Sequence, residues 1–162
     1  MKKKITAILI ILWMIIIFAF SAQPAPQSSQ ISGSVGLRIA EWQNNFFRLN
    51  KSKAELYEQA ESMQLFIRKG AHMGEYALLA FLLCLHLSCY PINGRKLALP
   101  VIGITAGYAA TDEFHQLFVP GRAGRFSDVC IDSLGGILGL LFWLILLKLW
   151  HKWRHHSLKK RC

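Results

Sequence analysis

Three stretches decide the fold: Tyr76-Ala-Leu-Leu-Ala-Phe-Leu-Leu-Cys-Leu-His-Leu-Ser-Cys-Tyr90, Leu97-Ala-Leu-Pro-Val-Ile-Gly-Ile-Thr-Ala-Gly-Tyr-Ala-Ala-Thr111 and Ser133-Leu-Gly-Gly-Ile-Leu-Gly-Leu-Leu-Phe-Trp-Leu-Ile-Leu-Leu147. Each is 15 residues long and free of formal charge if His86 is neutral. As helices they reach roughly 22 Å, short of a hydrocarbon core of about 30 Å. Each therefore needs about five more residues to span without thinning the bilayer. The first stretch stops at Pro91, with Asn93-Gly94 just beyond, so it extends toward His72 and Glu75. The second begins after Arg95-Lys96 and extends into Asp112, Glu113, His115 and Gln116. The third extends back through Asp132 to Asp128, while Lys148 at its other end can snorkel.

Working outward, a fourth apolar run, Ile5 to Phe20, follows Lys2-Lys3-Lys4. Continued to Ala22 it is just long enough to span. Its length and bulky Ile residues favour a retained anchor over a cleaved signal peptide, although Ala19-Phe20-Ser21 is a passable cleavage site. Residues 23–65 form the one long polar stretch. Gln23 to Ser29 reads as an extended exit segment. Ser34 to Leu49 has helical apolar spacing and carries Trp42, which suits an amphipathic surface helix or a helical cap over the bundle. Residues 66–147 then hold a three-helix core and 148–162 a basic tail. The expectation is an all-α, polytopic integral membrane protein, with four transmembrane helices and an amphipathic helical segment between the first two.

Composition agrees. Of 162 residues, 53% are apolar and 17% charged, with a formal charge of +10. Disordered basic tails lack such apolar content. Nucleic-acid binders carry their basic residues on a soluble folded face, whereas here they bracket apolar runs. Cysteines at 84, 89, 130 and 162 form no CxxC pair and give neither a zinc knuckle nor a disulfide framework. With both termini cytoplasmic, segments 1–4, 91–96 and 148–162 hold eleven of the nineteen Lys and Arg residues and none of the nine acids, as the positive-inside rule requires. The basic tail then serves as a topology anchor beside anionic lipid.

All three polar extensions fall on the opposite, exterior side. Ionisable groups at membrane depth usually face the bundle interior and mark function. At 100° per residue, Arg68, His72 and Glu75 share an arc of about 60°. Asp112, Glu113, His115 and Gln116 spread over about 160°, with Phe114 opposite and facing lipid. Asp128 and Asp132 share a face with Gly135 and Gly139, a small-residue seam like that expected at Gly103 and Gly107. The loop Val119 to Ser127 places Arg122 and Arg125 over this cluster, with Ser127 as N-cap of the last helix. His86 lies deeper and reads as a buried histidine bonded to a neighbour.

Three readings of the cluster differ in class. In the first, a binding site, Arg68, Arg122 and Arg125 hold an anionic headgroup or glycan, with Gln116 beside them and Asp128 and Asp132 orienting the arginines. Glu75, Asp112, Glu113, His72 and His115 take hydrogen-bonding or acid/base roles. In the second, an intramembrane hydrolase or transferase uses a carboxylate and a histidine on a lipid-linked substrate. No Gly-x-Ser-x-Gly elbow supplies a nucleophile, and neither Ser127 nor Ser133 has an evident partner base. In the third, a structural subunit, four cations (Arg68, Lys69, Arg122, Arg125) neutralise five acids in an ion-pair lock. Metal is not expected: His72-x-x-Glu75 and Glu113-x-His115 are common spacings, and the latter side chains point about 200° apart on a helix. No cofactor is expected either.

The paired patterns Arg68-Lys69-x-x-His72-x-x-Glu75 and Asp112-Glu113-x-His115-Gln116-x-x-x-Pro120-Gly121-Arg122-x-x-x-x-x-Asp128 resemble the VanZ-like family. The resemblance extends to Trp13 through Gln23 and to Asp132 through Gly139, so it covers nearly the whole chain. It implies an all-helical cell-membrane protein that keeps its first helix. The family is named for a glycopeptide-resistance accessory that lowers sensitivity to teicoplanin. A bacterial protein acting at the cell envelope is therefore expected, with membrane lipids and a lipid-linked cell-wall component as partners and no nucleic acid.

Overall fold

A computed structural model describes residues 1–92 and 94–159, with side chains described through Arg154. Asn93 of the expected turn and residues 160–162 of the basic tail lie outside the described residues. The chain is all-α, with α1 Lys2–Ser21, α2 Ala25–Phe47, α3 Lys53–Leu87, α4 Arg95–Gln116 and α5 Phe126–Lys159.

Among the described residues, α1, α3 and α5 are long and apolar enough to cross a membrane. α4 has 22 residues, enough in length, but its apolarity is diluted by Arg95, Lys96 and the Thr111-Asp112-Glu113 end. Large apolar side chains line the outside: Ile8, Ile11 and Ile15 on α1, and Leu141, Phe142 and Ile145 on α5, are all exposed. A continuous apolar exterior on long helices is the signature of an integral membrane protein.

α3 and α5 exceed the expected lengths. Their 35 and 34 residues correspond to about 50 Å each, so neither helix is a short span topped up by a few polar residues. α5 runs on through Lys148 into the basic tail. α3 starts at Lys53 because Ser52 and Glu55 form a capping box: the Ser52 Oγ accepts from the Glu55 N–H, and the Glu55 carboxylate accepts from the Ser52 N–H at 2.7 Å. The division expected at residue 65 thus falls inside a continuous helix.

The segment expected to be extended at 23–29 is instead the start of α2. Pro24 caps the helix and Pro26 sits in its first turn, where a missing N–H costs nothing. α2 folds back along α3 through Ser28, Ser32, Gly36 and Ala40, all buried and one turn apart. At Gly36 a Cβ would press on the Ala60 carbonyl. This hairpin carries exposed Trp42, Phe46 and Phe47 near its tip.

The other helices run alternately. Thr6 meets His86, and the Trp13 indole donates to the Glu75 carbonyl at 2.9 Å, so α1 is antiparallel to α3. Tyr108 donates to the Met14 carbonyl and Gln116 to Ser21, so α4 runs parallel to α1. α5 runs parallel to α3, with Gly135 against Met73 and Gly139 against Ala77. The apolar core, built around Ile17, Leu79, Val101 and Trp143, lies among these four helices. α1 contributes Ile10 and Ile17 to it.

Of the two expected glycine seams, only one forms. Gly135 and Gly139 touch the α3 backbone, and Gly136 meets Thr105. Gly103 and Gly107 face nothing within 4 Å, because α4 turns that side away from the bundle. His86 is half-buried and bonded to Thr6 at 2.8 Å, as a structural histidine should be.

Candidate functional site

The α4–α5 loop closes one end of the bundle. Gln116, Val119 and Pro120 lead into a turn at Gly121, whose φ of +73° suits glycine, and the Arg122 N–H donates to the Val119 carbonyl. The Arg125 carbonyl then accepts from the N–H groups of Asp128 and Val129. It thereby starts α5 two residues before the expected cap, and Ser127 lies inside the first turn, 3.3 Å from Asp128.

Beneath this loop lies a cavity of about 150 Å³. α3 contributes Arg68, Lys69 and His72, α4 contributes Glu113 and Gln116, the loop contributes Arg122 and Arg125, and α5 contributes Asp128 and Asp132. Leu65 and Ile131 form an apolar edge. Eight of the eleven residues singled out in the sequence thus line one cavity. Lys69, seen in the sequence only as a counter-charge, joins them.

The remaining three, Glu75, Asp112 and His115, do not line it. Glu75 lies one turn deeper, its Oε2 3.5 Å from His72 Nδ1. His115 packs on Phe18 of α1 with ring centroids 4.4 Å apart, pointing away from Glu113 as its helical position requires. Asp112 is 2% exposed. The Ser21, Gln116 and Tyr76 side chains surround it, yet neither of its oxygens reaches hydrogen-bond geometry. The Tyr76 hydroxyl is likewise buried and unpaired. Sequence reasoning missed Ser21 and Tyr76. Only the position of Tyr76, directly after Glu75, could have flagged it.

Within the cavity the polar groups are unequally satisfied. Asp128 bonds to Lys69 at 2.7 Å, not to an arginine as expected. Glu113, 6% exposed, accepts from the Arg125 backbone N–H at 2.9 Å. Arg122 Nε donates to the Gln23 carbonyl at 3.1 Å. Among the described residues the Lys or Arg ion pair within 4.0 Å is Lys69–Asp128, and His72 lies 3.5 Å from Glu75, so no arginine is paired with a carboxylate. Burial, then the neighbouring Arg68 charge, push the Arg122 guanidinium below its usual range. Asp132 is 1% exposed and its Oδ2 has no partner. Among the described residues, no group of three or more His, Cys, Asp or Glu side chains is placed to hold a metal ion.

The family model VanZ/LLP1 matches residues 6–147. The chain belongs to the VanZ/LLP1 family. The VanZ/LLP1 match takes in part or all of each helix of the bundle and every residue of the cavity. No curated protein and no solved structure matches the chain.

Proposed function

We propose that this VanZ/LLP1 protein acts at the bacterial cell envelope by holding the anionic headgroup of a lipid-linked cell-wall component in the cavity under the α4–α5 loop. One observation carries the reading: Arg68, Arg122 and Arg125 converge on a cavity without a carboxylate partner among them. An ion-pair lock would have used those charges on the adjacent acids. Arg68 and Arg122 are half-buried and Arg125 is exposed; guanidinium groups that converge with no carboxylate bonded to them favour an incoming anion, and Arg suits phosphate bidentately.

The cavity faces the cell exterior in this reading. α1, α3, α4 and α5 alternate in direction, which suits four crossings. Lys3 lies over the Tyr90 ring at 3.9 Å, so the basic N-terminal segment and the α3–α4 turn share the end opposite the cavity. The positive-inside rule makes that end cytoplasmic. With room for about five water volumes, the cavity is far too small for a glycopeptide. Lower susceptibility to teicoplanin would therefore come from binding or altering the envelope component the antibiotic meets. His72 and Glu113 beside the same cavity favour a second reading, acid/base chemistry on that component.

The test replaces Arg122 with Ala and Glu113 with Gln and measures teicoplanin susceptibility at matched membrane abundance. Raised susceptibility in Arg122→Ala supports the reading; unchanged susceptibility removes the resistance role. A mass change in envelope lipids incubated with purified protein, lost in Glu113→Gln, selects the enzyme. Restoration of the Asp128→Lys variant by Lys69→Asp, which reverses the one lysine–carboxylate pair of the site, selects the lock.

A further inference from the structure

The cavity does more than attract an anion. Its free groups are of two kinds on different elements. Arg68 on α3 and Arg122 in the loop offer donors. Asp132 on α5 offers a bare acceptor: it is 1% exposed and its Oδ2 is unbonded. The other two cavity carboxylates are already engaged, Asp128 by Lys69 and Glu113 by the Arg125 N–H. Asp132 shares the cavity with the acids Glu113 and Asp128. A phosphate oxygen placed against Asp132 would be repelled. A hydroxyl placed there would donate to it and satisfy a buried acceptor that is otherwise costly to leave bare.

Resting on the anion-site reading above, we infer that the ligand is a phosphate ester carrying a free hydroxyl close to the phosphorus, as in a glycerol phosphate. The phosphate lies between Arg68 and Arg122, and the hydroxyl donates to Asp132. The size agrees, since about five water volumes hold one phosphate with a short hydroxylated arm. The apolar edge formed by Leu65 and Ile131 gives a hydrocarbon chain a way out if the ester is lipid-borne.

The experiment titrates the purified full chain with matched pairs that differ only in the hydroxyls. Glycerol 1-phosphate is compared with propyl phosphate in solution, and phosphatidylglycerol with phosphatidylpropanol in nanodiscs. The hydroxylated member of at least one pair should bind about ten-fold more tightly, the scale of a hydrogen bond to a charged group. A preference in the lipid pair alone assigns a lipid headgroup, and one in the soluble pair alone a free ester. Asp132→Leu should abolish the preference yet keep phosphate binding. Equal affinity within both pairs, or a preference that survives in Asp132→Leu, overturns the inference. If that variant fails to fold, the wild-type pairs decide alone. Should neither the esters nor inorganic phosphate bind the wild type, the anion site itself fails; phosphate binding with no hydroxyl preference overturns this inference alone.

Discussion

The same face of α5 behaves in two ways along its length. At Gly135 and Gly139 it lies on the α3 backbone so closely that a Cβ would overlap the Met73 and Ala77 carbonyls. Two turns earlier, at Asp128 and Asp132, it carries carboxylates and borders a cavity shared with Arg68, Lys69 and His72 of α3. Close packing leaves no room for a ligand; polar side chains without full partners leave both room and unmet hydrogen bonds. The lower half thus fixes the two helices, and the upper half is free to bind.

The largest effect expected from breaking this contrast is at the glycines. Gly139→Leu would drive a side chain into backbone, which cannot give way as a flexible side chain can. Overpacking should cost about 1–3 kcal/mol or more, read as lost membrane abundance and a lower melting temperature in detergent. Arg122→Ala comes next. It should leave abundance intact and weaken phosphate binding about 10–100-fold, the loss of a charge-assisted hydrogen bond, measured by titration of purified protein. Asp128→Asn should matter less, because the Lys69–Asp128 pair is about 30% exposed on each side. The expected cost is about 0.2–1 kcal/mol, visible as a small shift in thermal unfolding. Gly107→Ala sharpens the contrast from the other side. With nothing within 4 Å, it should be neutral or stabilise α4 by up to about 1 kcal/mol, in the same unfolding assay.

Much of the site was legible in sequence because helical geometry alone sets which residues share a face. Arg68 and His72, Asp128 and Asp132, and the placing of exposed Phe114 opposite the polar arc of α4 all follow from 100° per residue. What failed was depth and partner choice. Glu75 shares the arc of Arg68 and His72, yet it lies beyond the cavity floor, a matter of rise along the axis and not of angle. Asp128 pairs with Lys69 because parallel packing of α3 and α5 sets that register, and no intrachain period reveals register between helices. Equal spacing made Gly103 and Gly107 look like Gly135 and Gly139, but a seam needs a neighbouring helix, and none faces that side of α4.

Helix extent was read less well. The apolar runs bounded the lipid-facing part of α3 and α5, but the helices continue where capping and tertiary contacts allow. The Ser52-x-x-Glu55 box marked the start of α3 in plain sequence. Prolines at 24 and 26 suggested an extended segment, although the first turn of a helix tolerates them equally well.

The central claim is that the arginines under the α4–α5 loop await an anion and do not lock the bundle. Titration of the purified full chain with inorganic phosphate, wild type beside Arg122→Ala, tests it most directly. The account predicts saturable binding at a single site in the wild type, at least ten-fold weaker in the variant, with both proteins folded when phosphate is absent. No saturable binding in the wild type, or equal affinity in the two proteins, would contradict it.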